Sequence, residues 1–335
     1  MNPDLLEFLC DPVDKSDLIL KEPVFGKHGM VEAGFLESAS GRGYSIRNGI
    51  PRFIDDAMSA EAVSSFGDQW NYFNFDQFRL NWLNHTVANT FGSVDVFKGR
   101  VVLDAGGGSG MQSRWMSEAG ATRVICLELS HAVDDIMKAN LNDARNVDVI
   151  QCSIDAPPLK DSSISGMVIC HNVIQHTPDV EKTARALWRL VSNGGEFVFN
   201  CYMKYESSLP WMVRFYYYRA LRRFLSRRSF QARLSYAKAM SWLRFVPVLG
   251  WSLEKGLLMV RGDVPDGPEK LRRMYRAGVL NTFDWYGGHQ YQHHKTEHEL
   301  RALVSRLQPD ALKISNLDRY FARPAATGCA IRIMK

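Results

Sequence analysis

From residue 101 the sequence alternates between short apolar runs and amphipathic stretches, and this alternation constrains the fold more than any other feature. RVVLDA, TRVICLEL, NVDVIQCS, SGMVICH and GGEFVFNCY read as buried strands. MQSRWMSEAG, SHAVDDIMKANL and DVEKTARALWRLV read as helices, with Gly120 stopping the first and Ser130 capping the second. Strands alternating with helices predict a parallel sheet covered on both faces. The pattern lapses at about residue 203 and resumes with the helix TEHELRALVSRL and the strands ALKISNL and CAIRIMK.

The first of these strands runs into VVLDAGGGSG, which sets four glycines in the five positions 106–110. Glycine loses more backbone freedom on folding than any other residue, so such a run needs a reason. In an open parallel sheet, ligands lie beyond the carboxyl ends of the strands, near the switch in strand order, and a bare turn lets them approach the backbone. The dinucleotide fingerprint G-x-G-x-x-G requires glycine at 111, where the chain has Met111, and Asp104 is foreign to it.

The string resembles motif I of class I S-adenosylmethionine-dependent methyltransferases, hydrophobic-hydrophobic-x-D/E-x-G-x-G-x-G, which Asp104, Gly106, Gly108 and Gly110 match. The resemblance implies S-adenosyl-L-methionine as cofactor, held by Asp104, Gly106, Gly107, Gly108 and Gly110. Glu128, with Leu129 beside it, ends the second strand 24 residues after Asp104. There a carboxylate can accept from both ribose hydroxyls. The family's G-D-x-x-x-L-P is here CSIDAPPL, which puts Ser153 in the acid's place, Ile154 against the adenine and Asp155 two positions on. Ser165-Gly166 replaces the usual F-D, whereas VICHNVIQHTPD and LWRLVSNGGEFVF follow the pattern closely. The resemblance spans about 101–201 and resumes at about 295–335. It implies a Rossmann-like α/β fold, a seven-stranded methyltransferase sheet with helices on both faces.

Methyl transfer to a hydroxyl needs a group to take the proton, and a histidine suits that task. His176, after the fourth core strand, is the first candidate base; a structural hydrogen bond closing its loop is the competing role. His171 is the second, at a position that in the family more often touches the amino-acid end of the cofactor. FGDQWNYF resembles the segment that folds over the cofactor in small-molecule methyltransferases, so Gln69, Trp70 and Phe75 are candidates to line that site or to pack in the core. NTFDWYGGHQYQHHKTEHEL resembles the stretch before the sixth strand, which places Tyr286, His289, Tyr291 and His293 near the acceptor. No metal site is expected among its histidines.

LLEFLCDPVDKSDL and GRGYSIRNGIPRFI resemble the small zinc-ribbon-like domain that activates some tRNA and protein methyltransferases. Where that domain has C-P-x-C, this chain has Asp11 and Asp14 around Pro12, and Leu36–Ser40 holds no cysteine. Zinc wants thiolate or imidazole, so the ribbon is expected to persist without metal. The expected organisation is a small N-terminal α+β domain at 1–56, a methyltransferase core at 57–202 and 282–335, and a helical lid insertion at 203–281.

The chain's net charge of +5 conceals an asymmetry. Residues 200–282 hold 16 Lys and Arg against 5 Asp and Glu, while the remainder is mildly acidic. On PWMVRFYYYRALRRFLSRRSF, helical spacing puts most aromatics on one side and most arginines on another, imperfectly, since Arg214 and Arg228 fall among the apolar positions. Three uses compete: a lid over a small-molecule substrate, anionic or not, peripheral membrane contact through 211–228 or contact with a lipid-linked substrate, and a grip on nucleic acid, which ranks last without an RNA-binding module. None of the six cysteines forms a C-x-x-C pair, MNPDLLEFLCDP lacks the basic start of a secretory signal, and no apolar run reaches the ~18 residues of a membrane span. These features suit a cytoplasmic protein. The reading is methyl transfer to a hydroxyl or carboxylate of a small molecule in natural-product or glycan biosynthesis. The alternatives are a tRNA methyltransferase and a non-catalytic cofactor-binding scaffold.

Overall fold

A computed structural model describes residues 1–54, 60–73, 75–204, 209–256, 258–260, 264, 266–287, 289–307, 316–322 and 329–335. Strands β1 (Leu18–Phe25), β2 (Val31–Ser38), β3 (Gly43–Arg47) and β4 (Ile50–Phe53) come first, then helix α1 (Ala60–Tyr72). The alternating region follows as β5 (Val101–Ala105), α2 (Met111–Glu118), β6 (Arg123–Glu128), α3 (Ile136–Leu141), β7 (Val147–Cys152), β8 (Met167–Cys170), α4 (Val180–Leu190) and β9 (Glu196–Phe199). Helices α5 (Leu209–Leu225), α6 (Phe230–Leu243), α7 (Leu249–Lys255) and α8 (Lys270–Tyr286) come next, and α9 (Glu297–Leu307), α10 (Leu317–Ala322) and β10 (Ile331–Met334) complete the chain. The chain divides into two compact units, Met1–Tyr202 with Tyr291–Lys335, and Met203–Gln290.

The first unit is built on one sheet with strand order β1-β2-β3-β4-β7-β6-β5-β8-β9-β10. From β4 to β9 neighbouring strands run parallel, while β10 is antiparallel to β9 and β1 to β4 are joined as antiparallel hairpins. The expected seven-stranded sheet is therefore corrected to ten strands. The reason is β4, which pairs in parallel with β7, Arg52 opposite Gln151 and Phe53 opposite Cys152. The N-terminal hairpins thereby extend the core sheet. Most of ALKISNL, expected as a strand, lies outside the described residues.

Strands β5 to β9 are buried along nearly their whole length, as parallel strands covered on both faces must be. Val102, Leu103, Val124, Ile125 and Leu127 have no exposed surface. Truncating Leu103, Ile125 or Leu127 to alanine costs roughly 2–5 kcal/mol. Helix α4 buries Val180, Thr183, Ala184, Leu187 and Leu190 at the spacing of one helical face, and Asp179 caps it by accepting from the amides of Glu181 and Lys182 at 2.8 and 3.1 Å. Ser130 does stand at a helix start, but its side chain makes no capping bond, and the helix expected there breaks into a short turn and α3.

The two N-terminal loops compared above with a metal ribbon are fastened by charge. Asp11 is fully buried, accepts from the amides of Val13 and Asp14, and takes Arg42 Nε at 2.8 Å and the Tyr44 hydroxyl at 3.1 Å. Arg42 also bonds Asp14. Burial pushes the Asp11 carboxyl up, but the Arg42 guanidinium and the amides outweigh it and hold it below its ordinary value.

The second unit, described by itself, packs α5 and α8 around Phe215, Tyr218, Leu225 and Tyr286. Tyr218 donates to the Trp285 carbonyl at 3.0 Å, and Tyr236 to that of Leu258 at 2.6 Å. The division expected on α5 is incomplete. Tyr216, Tyr217 and Phe224 are exposed alongside Arg219 and Arg223, so aromatics occupy both faces. All six cysteines are buried free thiols, and among the described residues no helix is long and apolar enough to cross a membrane.

Candidate active site

The strand order reverses at β5, and the glycine turn leaves its carboxyl end there. Gly106 (φ +90°) and Gly108 (φ +57°) occupy the left-handed region, which a side chain adopts only at a cost. A Cβ at 106 would stand 2.5 Å from a Val173 methyl, and one at 108 would stand 2.8 Å from the Trp70 ring. Bareness thus serves the close approach of two side chains as well as the turn itself.

Two carboxylates bracket the turn, both almost fully buried. Asp104 accepts from the Ser113 hydroxyl at 2.6 Å. Glu128 accepts from the amides of Gly108 and Ser130, each at 2.8 Å. Burial, helped by the like charge of Glu128, pushes the Asp104 carboxyl up to about 6 against the pull of Ser113. Two buried acids of the same sign make a place that favours a cation. This fits the cofactor that the resemblance implies, whose sulfonium and ammonium groups are positive.

The loop after Glu128 is held from the far side of β7. Arg52, on β4 and 5% exposed, donates to Gln151 Oε1 at 2.6 Å and forms a two-pronged ion pair with Asp134 at 2.6 and 2.9 Å. Gln151 in turn donates to the carbonyls of Leu129 and Ser130 at 3.1 and 3.2 Å. Glu128, Gln151 and Arg52 lie opposite one another on three adjacent strands. Burial pushes the Asp134 carboxyl up, but Arg52 overrides it and holds the group low.

Helix α1 lies across these ends. Gly67 packs on His131, Trp70 on Gly108, and Asn71 donates to Asp135 at 3.1 Å. Gln69 is buried, and Phe75 stacks on Phe78 with a 4.7 Å ring separation. Phe66 meets the His176 ring edge-on at 5.6 Å, so one helix joins the cofactor-side loops to the candidate base.

The ends of β8 and β9 are tied by a reciprocal pair. The Asn172 amide donates to Asn200 Oδ1 and Asn200 Nδ2 to Asn172 Oδ1, both at 2.6 Å, beside the buried His171. His176 is buried, with Nδ1 3.1 Å from the carbonyl of Tyr291 and the Tyr202 ring edge-on at 5.5 Å. A carbonyl only accepts, so the neutral ring carries its proton on Nδ1 and its lone pair on Nε2. His293 donates its amide to the Gln175 carbonyl at 2.8 Å and places Nε2 3.0 Å from the Thr177 carbonyl, which pins 291–293 to the 174–177 loop.

The structure thus gathers Trp70, Asp104, Gly106, Gly107, Gly108, Gly110, Glu128 and Leu129 around one turn, with His171, His176, Tyr291 and His293 after β8. Ser153 donates to Asp155 in the loop after β7, with Ile154 buried between them. Tyr286 and His289 fall in the second unit. Tyr286 belongs to its aromatic core, where burial drives the phenol far above its ordinary value. His289 is buried with Nε2 3.3 Å from Asp284. Sequence reasoning missed Arg52 and Gln151. The available signal was a lone charge inside the apolar run IPRFI.

Residues 103–199 match the family model described as "Methyltransferase domain". The segment is thus a methyltransferase domain. The chain is 28% identical over 123 residues to a ubiquinone biosynthesis O-methyltransferase of Pseudomonas fluorescens, with 36% of this chain and 49% of that protein covered. It is 30% identical over 123 residues to the enzyme of the same description from Escherichia coli O157:H7, with 36% and 48% covered. The chain spans about half the length of these relatives. Among solved structures, it is similar to a chain of the complex between the Haloferax volcanii Trm112 methyltransferase activator and a methyltransferase, at 22% identity and a TM-score of 0.35, with 40% of this chain and 58% of that one covered.

Proposed function

We propose that the methyltransferase domain at 103–199 transfers the methyl group of S-adenosylmethionine to an oxygen, hydroxyl or carboxylate, of a small molecule in natural-product or glycan biosynthesis. The observation that carries this reading is the pair of buried carboxylates, Asp104 and Glu128, on either side of the glycine turn. When bound, the cofactor supplies an electrophilic methyl on a sulfonium. The chain's own work is to bind, orient and exclude water, because transfer needs the acceptor atom at roughly 3–3.5 Å from the methyl carbon. Asp104 meets the positive charge. Glu128 takes the ribose hydroxyls, and Ser153, Ile154 and Asp155 flank the base. Gln69 and Trp70 cover the site from α1. For a hydroxyl acceptor, His176 takes the proton at Nε2, held in the correct tautomer by the Tyr291 carbonyl, with His171 beside the amino-acid end of the cofactor. Such a base contributes typically ~10²–10⁴-fold.

In this reading the N-terminal strands act as a metal-free counterpart of the zinc-ribbon-like activator, bracing the ribose loop through Arg52. Titration calorimetry tests the reading at its base. One S-adenosylhomocysteine is expected to bind per chain, with Asp104→Asn and Glu128→Ala each weakening binding at least tenfold. No heat of binding in the intact chain would overturn it. Mass spectrometry of a cell extract incubated with methyl-labelled cofactor then identifies the acceptor, and label on a nitrogen would refute oxygen transfer.

A further inference from the structure

The connection between α6 and α7 reads WLRFVPVLGW, residues 242–251. It turns its apolar side chains outward. Trp242 is 64% exposed, Val248 78% and Trp251 65%, and Phe245, Val246 and Leu249 are exposed as well. Soluble surfaces scatter single hydrophobics, whereas six in ten consecutive residues mark a contact surface.

The segment is firmly built. Phe245 N donates to the Trp242 carbonyl and Val246 N to that of Leu243, both at 3.1 Å, and Gly250 N to that of Val246 at 2.9 Å. At the tip, Leu249 N donates to the Pro247 carbonyl at 2.7 Å across Val248, whose φ of +65° and ψ of −49° make a γ-turn of the rare, strained hand. Gly250 permits the tight return, since a Cβ would stand 1.9 Å from the Arg244 carbonyl.

The electrostatics select the occupant. Arg244 is the one charged residue of the ten, and it bonds the Met274 carbonyl at 3.4 Å. Lys238 on α6 and Lys255 on α7 flank the turn, and the unit Met203–Gln290 carries 16 Lys and Arg against 6 Asp and Glu. On α5 the exposed aromatics are interleaved with arginines, so its outer face is mixed. At 242–251 an almost uncharged apolar tip stands on a strongly basic body. Tryptophans partition to the level of lipid headgroups, and basic residues behind them are drawn to anionic leaflets. We infer that residues 242–251 form a docking tip that inserts into the interface of an anionic lipid bilayer, leaving the basic helices over the headgroups.

The test is flotation of the full chain with vesicles of phosphatidylcholine containing 30 mol% phosphatidylglycerol, against phosphatidylcholine alone. Binding is expected on the anionic vesicles, at least tenfold stronger than on neutral ones and weakened by 0.5 M salt. The double variant Trp242→Ala/Trp251→Ala is expected to lose at least tenfold in partitioning while still binding S-adenosylhomocysteine. Should that variant misfold, brominated lipid on the wild-type chain decides: quenching of tryptophan emission supports insertion, and unquenched emission overturns it. Absence of flotation, or flotation of a folded variant equal to wild type, refutes the inference. So does a dimer in light scattering that the double variant converts to monomer, since the tip would then be covered by a second copy.

Discussion

Asp104 concentrates the chemistry of the site in one proton. Its folded pKa of about 6 stands above the ordinary 3.8 because it is buried near a like charge. A carboxyl raised on folding holds its proton more tightly in the folded state. Its contribution to stability is therefore full at low pH and is lost as pH rises from about 4 towards 6. Asp104→Asn is expected to raise the thermal midpoint at pH 7.5 by several degrees while weakening the cofactor; a lowered midpoint would show that the carboxylate is already compensated. A cationic ligand favours the ionised form, so S-adenosylmethionine affinity is expected to fall below pH 6, approaching tenfold per pH unit. Calorimetry at pH 5, 6 and 7.5 checks this. Asp104 was legible in the sequence because its spacing to the glycines is local. The partners that set its pKa, Ser113 and Glu128, come from α2 and β6, and only folding joins them.

At the scale of elements, β4 is where sequence reasoning stopped short. NGIPRFI reads as part of a hairpin, and it is one, but nothing local says that its free edge will pair with β7. Pairing in a parallel sheet is decided by packing across a long sequence separation. The positions of β5 to β9 were readable because full burial leaves apolar runs. The break in the helix after Ser130 was not, since Asp134 and Asp135 are recruited by Arg52 and Asn71 from other elements. Arg52→Gln removes the brace on the loop after Glu128. It is expected to raise the cofactor's Kd about tenfold and to speed hydrogen exchange at the Ser130 amide, with maximal turnover little changed; unchanged exchange there would show that Glu128 holds the loop unaided. In the loops near Asp11, Arg42→Ala strips hydrogen bonds from a buried carboxylate, at a cost of about 1.5–3 kcal/mol. Chelators are expected to leave the melting temperature of the wild-type chain within a degree, because the guanidinium already joins the two loops.

For the whole molecule, a sheet continuous from β1 to β10 couples regions that a separate N-terminal domain would leave independent. Bound S-adenosylhomocysteine is expected to slow amide exchange in β2 and β3 as well as around the glycine turn. The effect should approach the ~2.7 kcal/mol that a ligand confers at a hundred times its Kd. Exchange in β2 and β3 indifferent to ligand would show that the hairpins open on their own. The division of charge was legible from composition alone. The presence of aromatics on both faces of α5, and of an apolar tip between α6 and α7, was not, because helical periodicity ranks faces without saying which is covered.

The pairing of Arg52 with Gln151 spans 99 residues. A ribosome adding ~5–20 residues per second leaves such a strand waiting roughly 5–20 s for its partner. During that interval the first hairpins emerge with one edge unzipped, a template on which other nascent chains can pair. Synthesis of this protein therefore carries a window in which chaperone capture competes with aggregation, and it closes when β7 clears the exit tunnel.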